Sequence, residues 1–529
     1  MELSPSTQQL ITKYRNWVVS KEAKTVENTI EVDEVASKVA AFYEKIRGVV
    51  DWREEHLLRK TAIERMLKRR LLMTRKPEEV AEPLLSELVR GGHFPNGRIP
   101  TSAIPAVQEI ITKYLFLIEH AKKEAGGETK IKDPRSLESW LLGIAASEIE
   151  ETLSPPLKEL ALREFAALRM QSRITADLPE SEFNFLILIA VERALFQIDD
   201  TTLNQHLLFK FIPDWDHPSH QTLLAVSERI WNIRKQIEDL FHHPLAEYVY
   251  RYVEKHDTPY LLLGDIVEQH REEVLDLTLD PAATEGLVRE AYEARLQKLK
   301  KKLRRAGIYS TLSIFVSKVV LAVAIEVPLD RYLVQHPSLL PLALSVSIPP
   351  LLMFFLVMGT RPSSEENFQR LLLETMALFY EKEPGPPHEI RLPKRRGGFV
   401  RAMVSLAYLS SFLVSFGALI WILNRLGFTV PSMLIFLFFV SLVAFAGTVI
   451  RQRAKELQVT ELKEGFFFGL FDLFFLPIVR AGKWLSRSLM RYNAVSMFFN
   501  VFLEIPLQIF IEFIEQWRAF LKEKKEEIH

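Results

Sequence analysis

The sequence predicts an all-α membrane protein: an N-terminal soluble helical domain, a four-helix transmembrane bundle and a C-terminal interfacial amphipathic helical hairpin. Three observations carry this. Four stretches long and apolar enough to cross a bilayer lie between Ile308 and Ile450. Before them, charged residues alternate with apolar ones at three- and four-residue spacing. No run shows period-two alternation bounded by hairpin dipeptides, so strands are expected to be absent or minor. The predicted parts are a cytoplasmic helical domain over 1–290, a basic juxtamembrane helix over 291–307, the bundle over 308–450, the hairpin over 464–517 and a charged tail over 518–529.

Composition agrees. Of 529 residues, 48% are hydrophobic, high for a wholly soluble chain. Net charge is zero, which supplies no global field for nucleic acid or acidic ligands. Cysteine is absent, which excludes disulfides, thiolate catalysis and sulfur-ligated zinc. The N-terminus MELSPSTQQLITKYRNW has no charged-then-apolar pattern, so insertion is expected to rely on the internal spans.

The first predicted helix runs through Val35, Val39, Phe42 and Ile46, with Asp33 as N-cap and Gly48 as stop. The second, Trp52 to about Met73, repeats the pattern through Leu58, Ala62, Met66 and Leu67. Its outer face carries Arg59, Lys60, Arg65, Lys68, Arg69 and Arg70. Helices follow over 83–89, 103–121, 137–153, 156–170, 182–196, 218–241, 245–256 and 262–277. Loops fall at 91–100, 125–136 and 211–219, and 125–136 is the best internal boundary, although one continuous domain fits equally.

Three features of this half could carry chemistry. Gly92 to Ile99 has phosphate-loop glycine spacing, but Arg98 replaces the lysine, Ile99 the hydroxyl residue, and helix rather than strand precedes it. Asp214, Asp216, His217 and His220 could hold a divalent metal. The plainer expectation is that Asp216 or His217 caps a helix starting at Pro218. The basic face of 52–76 could meet RNA or anionic lipid, but it lacks interleaved aromatics apart from Trp52, and solvated charge is the simpler account. No nucleic-acid partner, cofactor or metal is expected.

The spans are 308–328, 339–358, 400–423 and 430–450, with a loop over 359–399. Basic residues cluster at 295–305, 391–396 and 451–455, while the intervening links carry only Arg331 and Arg425, which predicts a multi-pass protein with both termini cytoplasmic. Pro341 and the pair Pro349–Pro350 predict a kinked or locally unwound second span. In the first span, Lys318 and Glu326 lie about 80° apart around an α-helix, and a structural partner inside the bundle is expected for Lys318. The faces Ser411–Ser415 and Ser441–Ala444–Gly447 read as helix-packing surfaces.

After the spans, polar stripes appear at Asp472, Arg480, Lys483, Arg487 and Arg491, then at Ser496, Asn500, Glu504, Gln508, Glu512 and Gln516. Broad Phe-rich faces fill the rest, which predicts an interfacial hairpin whose Arg480, Lys483, Arg487 and Arg491 meet anionic phospholipid headgroups.

The sequence carries no metalloprotease, serine-elbow, Walker or Rossmann signature, so no enzymatic activity is expected. The expectation is a membrane-anchored scaffold or adaptor with a cytoplasmic protein partner and scope for homo-oligomerisation. The alternative is a subunit of an oligomeric transporter or channel with a polar site around Lys318.

Overall fold

Where apolar residues recur every three or four positions the chain is helical, and the helices begin where capping chemistry allows. This computed structural model describes residues 2–22, 28–32, 55–121, 134–270, 273–333, 339–358, 365–381, 386–392, 397–454, 457 and 466–491. Among them, strand is confined to β1 (Ile174–Ala176) and β2 (His388–Ile390), paired in parallel with Ile174 opposite His388. The chain divides mainly into two compact units, Ser4–Asp257 with Lys382–Leu392 and Thr258–Glu381 with Pro393–Ala494. The compositional boundary at 290 therefore falls inside the second unit.

The first unit contains α1 (Pro5–Glu22), α2 (Glu55–Met73), α3 (Pro77–Arg90), α4 (Ala103–His120), α5 (Pro134–Leu153), α6 (Leu157–Arg173), α7 (Glu180–Phe196), α8 (Asp200–Phe211), α9 (His220–Phe241) and α10 (Ala246–Lys255). Pro77 occupies the first position of α3, with Glu78 and Glu79 in its first turn, where a missing N–H and negative charge are both favourable. The Ser219 hydroxyl accepts the Thr222 amide at 3.1 Å and starts α9. This corrects the expected cap at Asp216 or His217: Pro218 stays outside the helix, and the hydroxyl reaches a free first-turn amide.

Helix α5 packs against α2, α4 and α8, with Leu141, Ile144, Ala145 and Ile149 fully buried. Such burial contributes about 1.5–3 kcal/mol per large aliphatic side chain. A Cβ at Gly143 would lie 2.8 Å from Thr201 Cγ2, so α5 and α8 approach closely there. The periodicity did not predict α8, and the reason lies in its burial. Asn204, Gln205 and His206 sit on the buried side beside Leu203, Leu207 and Leu208, which blurs the apolar stripe.

The second unit begins with α11 (Thr258–Gln269) and α12 (Val274–Leu277), which occupy the predicted helix over 262–277. Then α13 (Pro281–Leu321) continues through a π turn (Ala322–Glu326) into α14 (Val327–Leu333). The remaining elements are α15 (Leu339–Met358), α16 (Glu365–Tyr380), α17 (Gly398–Arg425), α18 (Val430–Ala454) and α19 (Phe466–Arg491). Four helices are long and apolar enough to cross a membrane: Pro281–Tyr332, Leu339–Met358, Gly398–Arg425 and Val430–Ala454. Each predicted span lies within one of them.

The start of α13 is amphipathic, with Val288, Ala291, Tyr292, Leu299 and Leu303 buried, while Lys298, Lys300, Lys301, Lys302, Arg304 and Arg305 are exposed. Helix α16 lies in the segment predicted as a loop over 359–399. It buries Phe368, Leu371, Leu378 and Phe379 and packs on α11 and α13. The Phe368 ring lies 4.9 Å from that of Tyr292 and beneath the Arg289 guanidinium at 4.5 Å. Tyr380 donates to the Thr278 carbonyl at 2.8 Å, closing this base.

Helix α15 runs unbroken through Pro349 and Pro350, both buried, so of the two expectations for the second span, a kink or local unwinding, the unwinding is set aside. Packed neighbours and local adjustments let membrane helices carry prolines. The irregular backbone is instead the π turn of the first span.

Helix α18 packs on α15 and α19, and Leu423, Phe428, Met433, Phe436, Val440, Ala444 and Ile478 form one apolar cluster. Small residues mark the closest approaches; of these, Ser441 and Gly447 were expected from the sequence, but Gly307 and Gly482 were not. Gly447 faces Leu356, Gly307 faces Val357, and Gly482 lies against the Ser441 backbone.

Helix α19 is the first helix of the predicted hairpin. The Ser415 hydroxyl donates to the Phe474 carbonyl at 2.6 Å, and the Arg480 guanidinium stands 4.5 Å over the Tyr408 ring. These pairs run in opposite chain directions, so α19 is antiparallel to α17, and its cationic half faces the Arg401 end of that helix. It packs at the level of Ser415 and Ser441, midway along α17 and α18, and this contact was not legible in its stripe. The predicted helices over 33–48 and 494–517, Trp52 and the tail over 518–529 lie outside the described residues.

Candidate functional site

In the apolar helices, Lys318 and Glu326 form an ion pair, 0% and 1% exposed. The α-helical screw alone would set them about 80° apart. The intervening π turn takes up one extra residue, worth about 100° of that screw, and brings both onto one face. The Ser345 hydroxyl of α15 donates to Glu326 Oε2 at 3.1 Å, and the Lys318 ammonium lies 5.0 Å from the Phe439 ring of α18. Three helices thus close around the pair. Pro349 and Pro350 are also buried. At the α14 end, Asp330 accepts hydrogen bonds from Thr429 at 2.7 Å and Ser432 at 3.1 Å.

The other sequence-selected residues go to separate places. Asp214 sits in a turn with φ of 56°, the His217 ring bonds Glu109 at 3.0 Å, and His220 opens α9 with its ring 5.3 Å from that of Phe116. Among the described residues no three His, Asp or Glu side chains gather in a metal-holding group. Between Asp214 and Asp216, Trp215 is buried, and its carbonyl accepts from Lys113 at 2.9 Å. Lys113 also binds Glu148 at 2.6 Å, and Tyr114 donates to the same carboxylate at 2.6 Å. Burial lifts the Glu148 carboxyl above its ordinary range against the opposing pull of Lys113.

The glycines of 92–99 serve a turn. Gly92 and Gly97 take φ of 76° and 71°, and Asn96 Oδ1 accepts the Val32 amide at 3.1 Å. The basic face of α2 is largely matched internally. Lys60 pairs with Asp199, Arg69 and Arg70 with Glu87 and Lys68 with Glu64, and just past the helix Arg75 pairs with Glu138. Arg59 lies over the Phe94 ring at 4.9 Å. On α19, Arg480, Lys483 and Arg487 are exposed, while the Arg491 side chain lies outside those described.

A cavity of about 290 Å³ in the first unit, with both charged and apolar lining residues, was not foreseen. Lys60 of α2, Glu150 and Glu151 of α5, Glu159, Leu160 and Arg163 of α6, and Thr202 and His206 of α8 line it. The His206 ring bonds Glu192 through Nδ1 and Glu151 through Nε2, each at 2.7 Å. Arg163 binds Glu192 at 2.8 Å, and Gln205 donates to Glu151 at 2.8 Å. Burial alone would lower the His206 value, but the two carboxylates outweigh it and raise it to about 9. Glu151 is held below the usual carboxylate range by His206, despite burial. Burial, aided by Glu151 and opposed by Arg59, pushes the Glu150 carboxyl up to about 7. The available sequence signal was the acidic run Glu148, Glu150 and Glu151 directly after the apolar stretch of α5. Its basic partners lie far away in the chain.

Comparison with known proteins returns no match: no protein family fits the chain, and neither curated proteins nor solved structures align with it significantly.

Proposed function

We propose that this chain is a membrane-anchored helical scaffold or adaptor without enzymatic activity, in which a cytoplasmic helical unit is held at the bilayer by four spans. The supporting observation is the sealed state of Lys318 and Glu326. The strongest candidates for a polar path through the spans are spent on each other and on Ser345, with almost no exposed surface. A transport pathway would expose such groups to water on at least one side.

In this reading both termini are cytoplasmic, and the basic start of α13, the Arg401 end of α17 and the cationic half of α19 share the cytoplasmic leaflet. Arg487, nearest the end of α19, then meets anionic phospholipid headgroups, while Arg480 and Lys483, at the level of Tyr408 and Ser441, reach toward them from deeper. A cytoplasmic protein is the natural partner of the first unit, and copies of the chain can associate through the exposed apolar faces of the spans.

Two measurements test this. Because the chain has no native cysteine, single cysteines at Lys301, Arg425 and Arg487 report sidedness. Lys301 and Arg487 should label from the cytoplasmic face and Arg425 from the opposite face; a reversed pattern rejects the topology. Purified protein in liposomes should show no ion flux. Flux that Lys318→Met abolishes while the protein stays folded would establish the transporter alternative.

A further inference from the structure

The cavity between α2, α5, α6 and α8 is lined by three cations and three carboxylates, but their pairing is uneven. Three cations reach it, and each has a carboxylate partner: Lys60 with Asp199, Arg163 with Glu192, and His206 with Glu151. Glu150 and Glu159 are left over. The Glu150 carboxyl makes no hydrogen bond or ion pair among the described residues, and the exposed Glu159 lies at the rim. The groups around Glu150 are Arg59 and Lys60 of α2, Glu151 of α5, Glu159 and Arg163 of α6, Asp199 at the start of α8, and His206 within it. Arg59, which lies over the Phe94 ring, keeps its charge and offsets the burial of Glu150 only in part. A largely buried carboxylate with no ion pair of its own, facing cations only at longer range, is costly, and an incoming cation relieves that cost.

The other wall is apolar, formed by Pro156, Leu160, Phe196 and Ile198. An inorganic cation would leave this wall unused, and an anion would meet Glu150 and Glu159. At roughly 30 Å³ per water-sized group, the space suits a molecule of about ten non-hydrogen atoms. We propose that the cavity is a binding site for a small organic amine, its ammonium group paired with Glu150 and drawn in by Glu159, its hydrocarbon body against Leu160, Phe196 and Ile198. Pairing requires ionised Glu150, so binding expels the proton held there at acidic pH. His206 does not compete in that range, because it keeps its proton to about pH 9.

The test is calorimetric titration of the full-length protein in non-ionic detergent with cyclohexylamine, using cyclohexanol as the neutral isostere. The amine should bind saturably at millimolar concentration, about tenfold more tightly at about pH 8 than at about pH 6, with proton release at the lower pH. Glu150→Gln, which keeps the shape, should remove the binding and its pH dependence. Leu160→Trp should remove binding by filling the space while Glu150 stays. Thermal melts confirm that each variant is folded, and a misfolded Leu160→Trp is replaced by Ile198→Phe. No saturable binding, equal binding of the alcohol, or undiminished binding by folded Glu150→Gln overturns the proposal.

Discussion

Lys318 and Glu326 meet as a buried ion pair although eight residues separate them in one helix, because the π turn between them makes that spacing behave as two α-helical turns. The extra residue of a π turn often marks a functional position. Here its effect is geometric: it sets a carboxylate and an ammonium on the same face, toward Ser345 and Phe439.

Deleting Val323 should therefore be tolerated. The deletion converts the π turn to α-helix, leaves Lys318 and Glu326 about two turns apart, and keeps the faces of the following residues. Inserting one alanine after Val323 adds about 100° of rotation and separates the pair. Monodispersity and melting temperature in detergent should stay close to wild type for the deletion and fall sharply for the insertion. Equal tolerance of both changes would refute the geometric role.

The pair itself should be more costly to break than to replace. Removing one partner strands the other charge among apolar side chains, typically a loss of about 3–5 kcal/mol, whereas an apolar pair of similar volume is often neutral. Lys318→Met and Glu326→Leu should each lower the melting temperature, and the double variant should melt closer to wild type than either single one. Additive losses in the double variant would show that the two residues act independently.

The spans, the helical character of the first unit and the packing role of the small residues were legible in the sequence because each rests on local hydropathy or spacing. The cavity was not. Glu150 and Glu151 sit on α5, and their neighbours Lys60, Arg163 and His206 come from three other helices. Helix α8 was missed because the residues that build the site, Gln205 and His206, occupy its buried face and weaken the apolar period. The Lys318 pairing was half legible. The sequence marked both residues but could not reveal the π turn between them. The contact of α19 with the spans was hidden because a wide apolar face suits a lipid interface as well as a helix bundle.

Glycine substitutions should rank by what an added methyl group meets. At Gly482 it overlaps the Ser441 carbonyl oxygen, which belongs to rigid helix backbone. At Gly307 it meets the stiff branched side chain of Val357, and at Gly447 the movable end of Leu356, while at Gly286 nothing lies within 4 Å. Gly482→Ala should cause the largest drop in melting temperature, followed by Gly307→Ala and Gly447→Ala. Gly286→Ala should stabilise by about 0.5–1 kcal/mol through helix propensity. A neutral Gly482→Ala would show that α19 does not pack on α18 at this point.

The His206 triad makes a pH prediction whose sign is fixed by linkage. The folded value of about 9 stands above the ordinary 6.5, so the stabilisation is fully present below about pH 6.5 and is lost as pH rises through about 9. Its size is on the order of 3 kcal/mol, from about 1.4 kcal/mol for each pH unit of displacement. Glu151 acts in the opposite direction: held below its ordinary 4.5, it contributes above that pH and is lost on acidification, outside this window. Glu150 changes charge on both sides of the comparison, so its contribution largely cancels between wild type and a His206 variant. His206→Gln should therefore lower the melting temperature most at about pH 6 and progressively less toward about pH 9.5, read by intrinsic tryptophan fluorescence of the full chain in detergent. A deficit that stays constant or grows with pH would mean that His206 is neutral between its two carboxylates.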